Sequence, residues 1–272
     1  MNGAEEDYPH MSTDAPGKLL GRRAFVTAGA QGIGLAISRT LAAQGCELFV
    51  HYHASADAAR YLCADLWRSG RRAACAAADL TKAAECDRVV DEAVRFLGGL
   101  DVLVNNAGTL IARRTFAEAD DDYWTAVMTL NLDSARWITR AAMPHLIEAG
   151  ARRGGASVVN LASLAGRHGG GPGAVAYATA KGALLTWTRG LASELAARGV
   201  RVNAVAPGLI LGSAFHATHT PNEMQQRMVA GIPLGRAGTP DDVARAVAFL
   251  AGEFDGFITG ATLDINGGVY VV

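Results

Sequence analysis

Tyr177 and Lys181 stand four residues apart in the alanine-rich stretch AYATAK. On a helix that spacing puts a phenol and an ammonium on one face, about one turn or 6 Å from each other. A free phenol titrates near ~10 and is a poor proton shuttle at neutral pH. A unit positive charge at that distance, with an effective dielectric of ~20, favours the phenolate by about 3 kcal/mol, roughly two pKa units. The pair is therefore equipped for general acid/base work. A packed tyrosine with a lysine stem snorkelling past it is the plain alternative. Ser163 closes the apolar run SVVNLAS, where side chains leave a parallel sheet and ligands collect. Its hydroxyl is suited to hold a substrate oxygen beside Tyr177. The run is not a G-x-S-x-G elbow and no His–Asp pattern follows it, which speaks against a serine hydrolase.

A second constellation lies near the start. TAGAQGIG, residues 27–34, falls between an apolar strand-like run and a helical pattern. A glycine-rich turn there lets the backbone approach a pyrophosphate, and the helix N-terminus offers unpaired amides. After the next strand the chain reads HYHASAD, with its first carboxylate at Asp57, inside the following helix. An acid at the strand end would accept from a ribose 2′-hydroxyl and repel a 2′-phosphate. Without one the sequence leans towards NADP over NAD, with His51, His53 and Ser55 left to receive the phosphate.

These groups need a scaffold that brings strand ends together. Strand-like runs at 23–27, 47–52, 72–78, 101–106, 156–163, 200–207 and 261–267 alternate with helical patterns at 34–45, 57–69, 82–97, 120–149 and 174–197. Such alternation implies parallel pairing through crossover helices, and predicts an α/β fold: a Rossmann-type doubly wound sheet of about seven strands with helices on both faces. No repeat or linker divides it, so residues 20–272 are expected to form one domain behind a flexible tail, 1–19. Residues 209–240, rich in Gly and Pro around a short helical stretch near 222–230, break the rhythm like a substrate lid.

Composition sets outer bounds. The 272 residues carry a net charge of −1 with no long run of one sign, against a nucleic-acid binder. Cys46, Cys63, Cys75 and Cys86 form no C-x-x-C pair, which suits free thiols in a reducing compartment. The acidic N-terminus lacks a signal-peptide pattern, and no window approaches the ~20 apolar residues of a membrane span, so the expected location is cytoplasmic. His216 and His219 offer two metal ligands without a third.

TAGAQGIG, NNAG (105–108), Asn131–Leu132, NLASLAG (160–166), YATAK (177–181) and VNAVAPG (202–208) occur in the order and spacing of the short-chain dehydrogenase/reductase family, which the chain resembles from about residue 20 onwards. The resemblance implies hydride transfer between a nicotinamide cofactor and a carbonyl or secondary alcohol, with Asn131, Ser163, Tyr177 and Lys181 as the catalytic set. In that set Asn131 holds a helix kink and a water that relays protons towards Lys181, which also reaches the nicotinamide ribose. It places cofactor contacts at Thr27, Gly29, Gln31, Gly32, Ile33 and Gly34, at Tyr52 and His53, at Asp79 and Leu80, at Asn106, Ala107 and Gly108, at Tyr177 and Lys181, and at Pro207, Gly208, Ile210 and Ser213. It also implies a homotetramer or homodimer.

Two positions depart from the family pattern. Ala28 replaces the first glycine of the turn; alanine tolerates most backbone angles other than positive φ, so a small adjustment is expected there. Gly212, followed by Ser213, stands where a threonine is common. Arg113, Arg114, Arg167 and His168 lie close in sequence to the motifs, and SAFHATH (213–219) opens the lid. Cations near the reacting centre suit an anionic or polar substrate, with Arg113, Ser163, His168, Tyr177, Phe215 and His216 as its contacts. GGGPGA and AFHA…GIPLGR are similar to family members that reduce keto-sugar acids, and ITGATLDINGG to 3-oxoacyl-thioester reductases. A polar ketone or sugar acid is preferred, a 3-oxoacyl thioester is the alternative, and a non-catalytic dinucleotide-binding regulator is the reading of another class.

Overall fold

The protein is described from a computed structural model that covers residues 19–152, 155–212, 222–252 and 256–271. Seven parallel strands form one sheet in the order β3-β2-β1-β4-β5-β6-β7. They are β1 (Arg23–Val26), β2 (Glu47–Tyr52), β3 (Ala73–Ala77), β4 (Val102–Asn105), β5 (Ala156–Leu161), β6 (Val200–Pro207) and β7 (Thr262–Ile265). The long helices are α1 (Gly32–Ala43), α2 (Ala56–Arg68), α3 (Ala83–Leu97), α4 (Asp121–Met128), α5 (Ser134–Gly150), α7 (Val175–Leu195), α8 (Asn222–Ala230) and α9 (Pro240–Gly252), with one turn, α6 (Ala165–His168), after β5.

Strand side chains alternate between two apolar layers, as the pleat requires. Ala24, Val26, Val102, Val104, Val159 and Val205 face one core, with Ile37 and Leu41 of α1, Leu62 and Leu66 of α2, and Val243 and Val247 of α9. Phe25, Phe49, Leu103, Val158 and Val202 face the other, against Val89 and Val90 of α3, Ile138 and Leu146 of α5, and Leu191 and Leu195 of α7. Strands buried on both faces read as near-continuous apolar runs, which is why they stand out in the sequence.

The far end of the sheet is closed by an ion pair. Arg23 Nε and a terminal nitrogen donate to the two carboxylate oxygens of Asp101 at 2.7 and 2.8 Å, and the Arg23 backbone amide adds a third bond at 2.9 Å. Asp101 lies just before β4 and ties it to β1. Burial raises its carboxyl pKa, but the Arg23 bonds and charge outweigh it and leave the group below its usual range.

The expected helix over 120–149 is interrupted. Residues Thr129–Asp133 form a π-helical turn with a local cause: Asn131 Nδ2 donates to Val127 O at 2.9 Å and Ser134 Oγ to Leu130 O at 2.7 Å. Side chains that take i−4 carbonyls from the backbone ladder widen the turn. The segment 209–240 is tied at its ends, with Gly238 N donating to Leu209 O and Leu211 N to Gly238 O. Among the described residues no helix is long and apolar enough to cross a membrane.

Candidate active site

The C-terminal ends of β1, β4, β5 and β6 open on one cavity of about 630 Å³, within the ~300–1,000 Å³ common for cofactor and ligand sites. The first β–α turn forms one wall with Ala28, Gln31, Gly32, Ile33 and Gly34, and Tyr52, His53 and Ser55 follow from the end of β2. Its amides suit an anion. No acidic residue lies in the first turn of α1, and Gln31 at the N-cap makes no side-chain capping bond. Gly34 is required sterically, since a Cβ there would sit 2.1 Å from Ala28 O and 2.6 Å from Asn106 Nδ2. This cradle, rimmed by glycine and uncapped amides, fits a dinucleotide pyrophosphate.

Ser163, Tyr177 and Lys181 meet on the opposite wall. Ser163 follows β5, and its Oγ accepts from Ala165 N at 3.1 Å. Its proton is then available to the Tyr177 oxygen, to which it is hydrogen-bonded. Tyr177 lies in the first turn of α7, where the partial positive charge of the helix favours an anion. The tyrosine packs against the cluster of Tyr123, Val127 and Ala176. Lys181 is 3% exposed; its Nζ donates to Leu161 O at 2.7 Å and lies 5.8 Å from the Tyr177 ring centre. The spacing read from the sequence thus becomes an actual juxtaposition. The expected direction of the phenol's shift does not hold in this state. Burial pushes Tyr177 up to about 12, with the Ser163 bond pulling the other way, and burial pushes Lys181 down to about 8. A two-charge estimate omits that desolvation disfavours both charged forms.

Asn131 is buried behind Lys181 and does not line the cavity. Its Nδ2 donates to Thr109 O and Val127 O, while Oδ1 accepts no bond from the protein. Gly108 lets these groups converge: a Cβ on it would lie 2.6 Å from Asn131 Oδ1 and 3.0 Å from Lys181 Nζ.

The remaining expected contacts divide. Asn106, Gly108, Pro207, Gly208 and Ile210 line the cavity, as do Arg113 and His168. Thr27 does not line it; it is buried, and its Oγ1 accepts from Asn106 N and Ala107 N, joining β1 to the end of β4. Gly29 is packed against Ser38 and Val50. Asp79 accepts from Thr81 and pairs with Lys82 away from the cavity. Leu80 and Ala107 belong to the apolar layer beneath it. Ser213, Phe215, His216 and His219 fall outside the described residues.

Several expectations are overturned. His51 does not receive a phosphate: it is 2% exposed, with Nδ1 accepting from Ala28 N and Nε2 donating to Ala78 O. Ala28 does not avoid the left-handed region but adopts φ +49°. Arg167 is held by Asp264 at 2.9 and 3.0 Å, and Arg114 pairs with Asp120 over the Tyr123 ring, so neither lines the cavity. Met228 of α8 and Leu110 also line it, and no motif in the sequence points to either. The short helix carrying Met228 was legible, but which of its residues turns inward was not.

The family profile described as enoyl-(acyl carrier protein) reductase matches residues 27–270. The 4-formylbenzenesulfonate dehydrogenase TsaC1/TsaC2 of Comamonas testosteroni is 39% identical over 249 residues, covering 90% of this chain and 96% of the relative. The chain belongs to the short-chain dehydrogenase/reductase family. Among solved structures, the NADH-dependent reductase A1-R' responsible for alginate metabolism aligns with a TM-score of 0.85 at 35% identity, covering 94% of this chain and all (100%) of that one; it has also been crystallised with NAD. A blue fluorescent protein from a metagenomic library, in complex with NADPH, aligns with a TM-score of 0.85 at 36% identity over 93% of this chain and 100% of that one. This short-chain dehydrogenase/reductase is accordingly an oxidoreductase of the CH–OH/C=O class that uses a nicotinamide cofactor.

Proposed function

We propose that this enzyme interconverts a carbonyl and a secondary alcohol on a small polar substrate that carries an anionic group, a sugar acid or keto acid being the favoured class, with NADP preferred over NAD. The observation that carries the substrate class is the cavity's charge. Its ionisable lining residues are Lys181, Arg113, His53, His168, Tyr52 and Tyr177, and no carboxylate lines it among the described residues. A relative acting on a formylbenzenesulfonate, whose name joins a carbonyl to an anion, supports the same reading.

When bound, a nicotinamide would supply or take up the hydride. Tyr177 moves the proton at the substrate oxygen, as acid in reduction and as base in oxidation. Ser163 holds that oxygen and donates to the charge developing on it. Lys181 would favour the phenolate through its charge and hold the nicotinamide ribose. Asn131 supports Lys181, and its buried Oδ1, which accepts nothing from the protein, suits a water in a proton relay. The turn from Gln31 to Gly34 holds the pyrophosphate. His53 and Ser55 line the cavity where the adenosine ribose would sit, and with Asp57 exposed no carboxylate among the described lining residues would repel a 2′-phosphate.

The deciding experiment is a panel of aldoses, keto acids, keto-uronates, neutral ketones and an acetoacetyl thioester, each with NADPH and with NADH, read by nicotinamide absorbance. Turnover of anionic carbonyls well above their neutral analogues supports the proposal. Preference for neutral ketones or for the thioester refutes the substrate class, and tighter NADH than NADPH binding refutes the cofactor preference.

A further inference from the structure

The turn that cradles the cofactor contains an oddity. Ala28 sits at φ +49°, a left-handed conformation that disfavours any residue with a Cβ, and only Ile111 shares a positive φ among the described non-glycine residues. Such a conformation persists only where its surroundings over-determine it. Here both ends of the residue are held. Its carbonyl accepts from Asn106 Nδ2 at 3.1 Å, and its amide donates to His51 Nδ1 at 3.0 Å. The next amide, Gly29 N, donates to the backbone carbonyl of His51 at 2.9 Å.

The same imidazole is fixed from its other side. His51 Nε2 lies 3.0 Å from Ala78 O, beyond the end of β3. A carbonyl only accepts, so Nε2 carries the proton and Nδ1 presents its lone pair to Ala28. The ring spans β2, the residue after β3 and the turn after β1, and its neutral form suits its burial, which pushes its pKa down to about 4. Asn106 belongs to the motif read from the sequence; His51 does not.

We propose that His51 is a positioning residue for the cofactor turn: its Nδ1 holds the Ala28 amide from behind, letting alanine stand where the chain must turn left-handed and so aiming the Gln31–Gly34 amides at the pyrophosphate. The proposal rests on the reading that this turn takes the dinucleotide, and it makes the stretch after β2 a support for phosphate binding as well as a contact with the ribose.

Two substitutions separate the two imidazole bonds. In His51→Asn the amide oxygen takes the place of Nδ1 and keeps the acceptor for Ala28. In His51→Gln the amide reaches Ala78 but leaves carbon where Nδ1 stood. Fluorescence titration with NADPH is expected to show His51→Asn within about threefold of wild type and His51→Gln weakened about tenfold or more, the size of a lost hydrogen bond with a stranded amide. Adding Ala28→Gly to His51→Gln is expected to recover part of that loss, because glycine needs no external hold at positive φ. Equal affinity of the Asn and Gln variants overturns the proposal.

Two readouts need no cofactor. In the wild-type protein the imidazole nitrogen resonances must report the Nε2–H tautomer at neutral pH, and amide exchange at Ala28 must be slow. An Nδ1–H tautomer, or fast exchange at Ala28, overturns the clamp even where the Gln variant fails to fold. A wild-type chain that binds neither NADPH nor NADH instead removes the functional reading, while tautomer and exchange still decide whether His51 holds the turn.

Discussion

Replacing Lys181 with methionine tests the acid/base assignment most directly. The two side chains are similar in length, so the change removes the charge and the bond to Leu161 O while keeping most of the packing. The Nζ lies 5.8 Å from the centre of the Tyr177 ring. At an effective dielectric of ~20 that separation gives about 3 kcal/mol in favour of the phenolate. Where the lysine is charged, the phenolate should therefore be about 100-fold less populated in the variant, and alcohol oxidation there should slow by about 100-fold. A second cost is structural: the Leu161 carbonyl loses a partner in a buried site, worth about 1–3 kcal/mol of stability. The assay is kcat/KM for oxidation across pH 6 to ~11 for both proteins, with thermal melts at each pH as the control. Burial holds the wild-type lysine near a pKa of about 8, so its charge is present below that pH and lost above it. The difference between wild type and variant should thus be widest below pH ~8 and shrink as pH rises through the lysine's titration. A variant whose oxidation rate below pH ~8 stays within about threefold of wild type (about 0.7 kcal/mol) refutes the reasoning, because Lys181 would then carry no electrostatic influence on Tyr177.

Three further outcomes follow from the same geometry. Tyr177→Phe is expected to lower turnover by about 10²–10⁴-fold with NADPH affinity within about twofold by fluorescence titration, and an active Phe variant removes the mechanism. Arg113→Ala is expected to raise KM for an anionic carbonyl by about 10–100-fold, the worth of a charge-assisted bond, and to leave a neutral ketone nearly unchanged; equal effects on both dismiss the anion argument. Asp101→Asn breaks a buried pair whose carboxylate accepts three bonds from Arg23, and should cost about 3–5 kcal/mol near neutral pH. Because the folded-state pKa of Asp101 is depressed, its contribution is fully present above the unfolded value of ~3.9 and fades as pH falls through the folded one. The gap between wild type and variant in denaturant melts should close in strong acid.

How much of this was legible in the sequence depended on whether a residue's role was local. The five inner strands show as near-continuous apolar runs, the half-buried edge strands β3 and β7 show through their place in the strand–helix alternation, and Tyr177 and Lys181 declare their relation through helical spacing alone. Helix α9 is absent from the helical patterns read in the sequence, although Thr239 and Asp242 flank Pro240 at its start. Asp242 accepts from the Thr239 amide and hydroxyl, a capping pattern hidden behind the Gly- and Pro-rich stretch before it. What stayed illegible were relations across the fold. The π-turn at Asn131 depends on a side chain competing for a carbonyl, and the upward shift of Tyr177 on how much low-dielectric protein surrounds it. His51 looks like strand-end surface in a string, yet it shares the pleat face of buried Phe49 two residues earlier and finds a donor in a different loop.

The arginines near the cavity show why charge counted along a sequence misleads and charge placed in space does not. Arg113, Arg114 and Arg167 all stand within a few residues of a motif. Arg114 is matched by Asp120 at 3.0 Å, and Arg167 by both oxygens of Asp264 on β7. Each of these carboxylates neutralises a cation outside the cavity lining, so neither opposes an incoming anion. Arg113 instead lines the cavity, with a terminal nitrogen donating to the Pro172 carbonyl. That bond fixes the direction of a planar guanidinium at the cavity wall. Pro172 begins the short link that leads, through Gly173 and Ala174, to α7, and a Cβ on Gly173 would lie 3.0 Å from that of Arg113. The residue that fixes Arg113 thus belongs to the same segment that delivers Tyr177, three residues beyond Ala174. The fold therefore couples the position of the cation that would bind a substrate's anionic group to the position of the phenol that would protonate its oxygen. A substrate with both groups at the matching separation would be held at two points, which is the arrangement that turns binding energy into orientation.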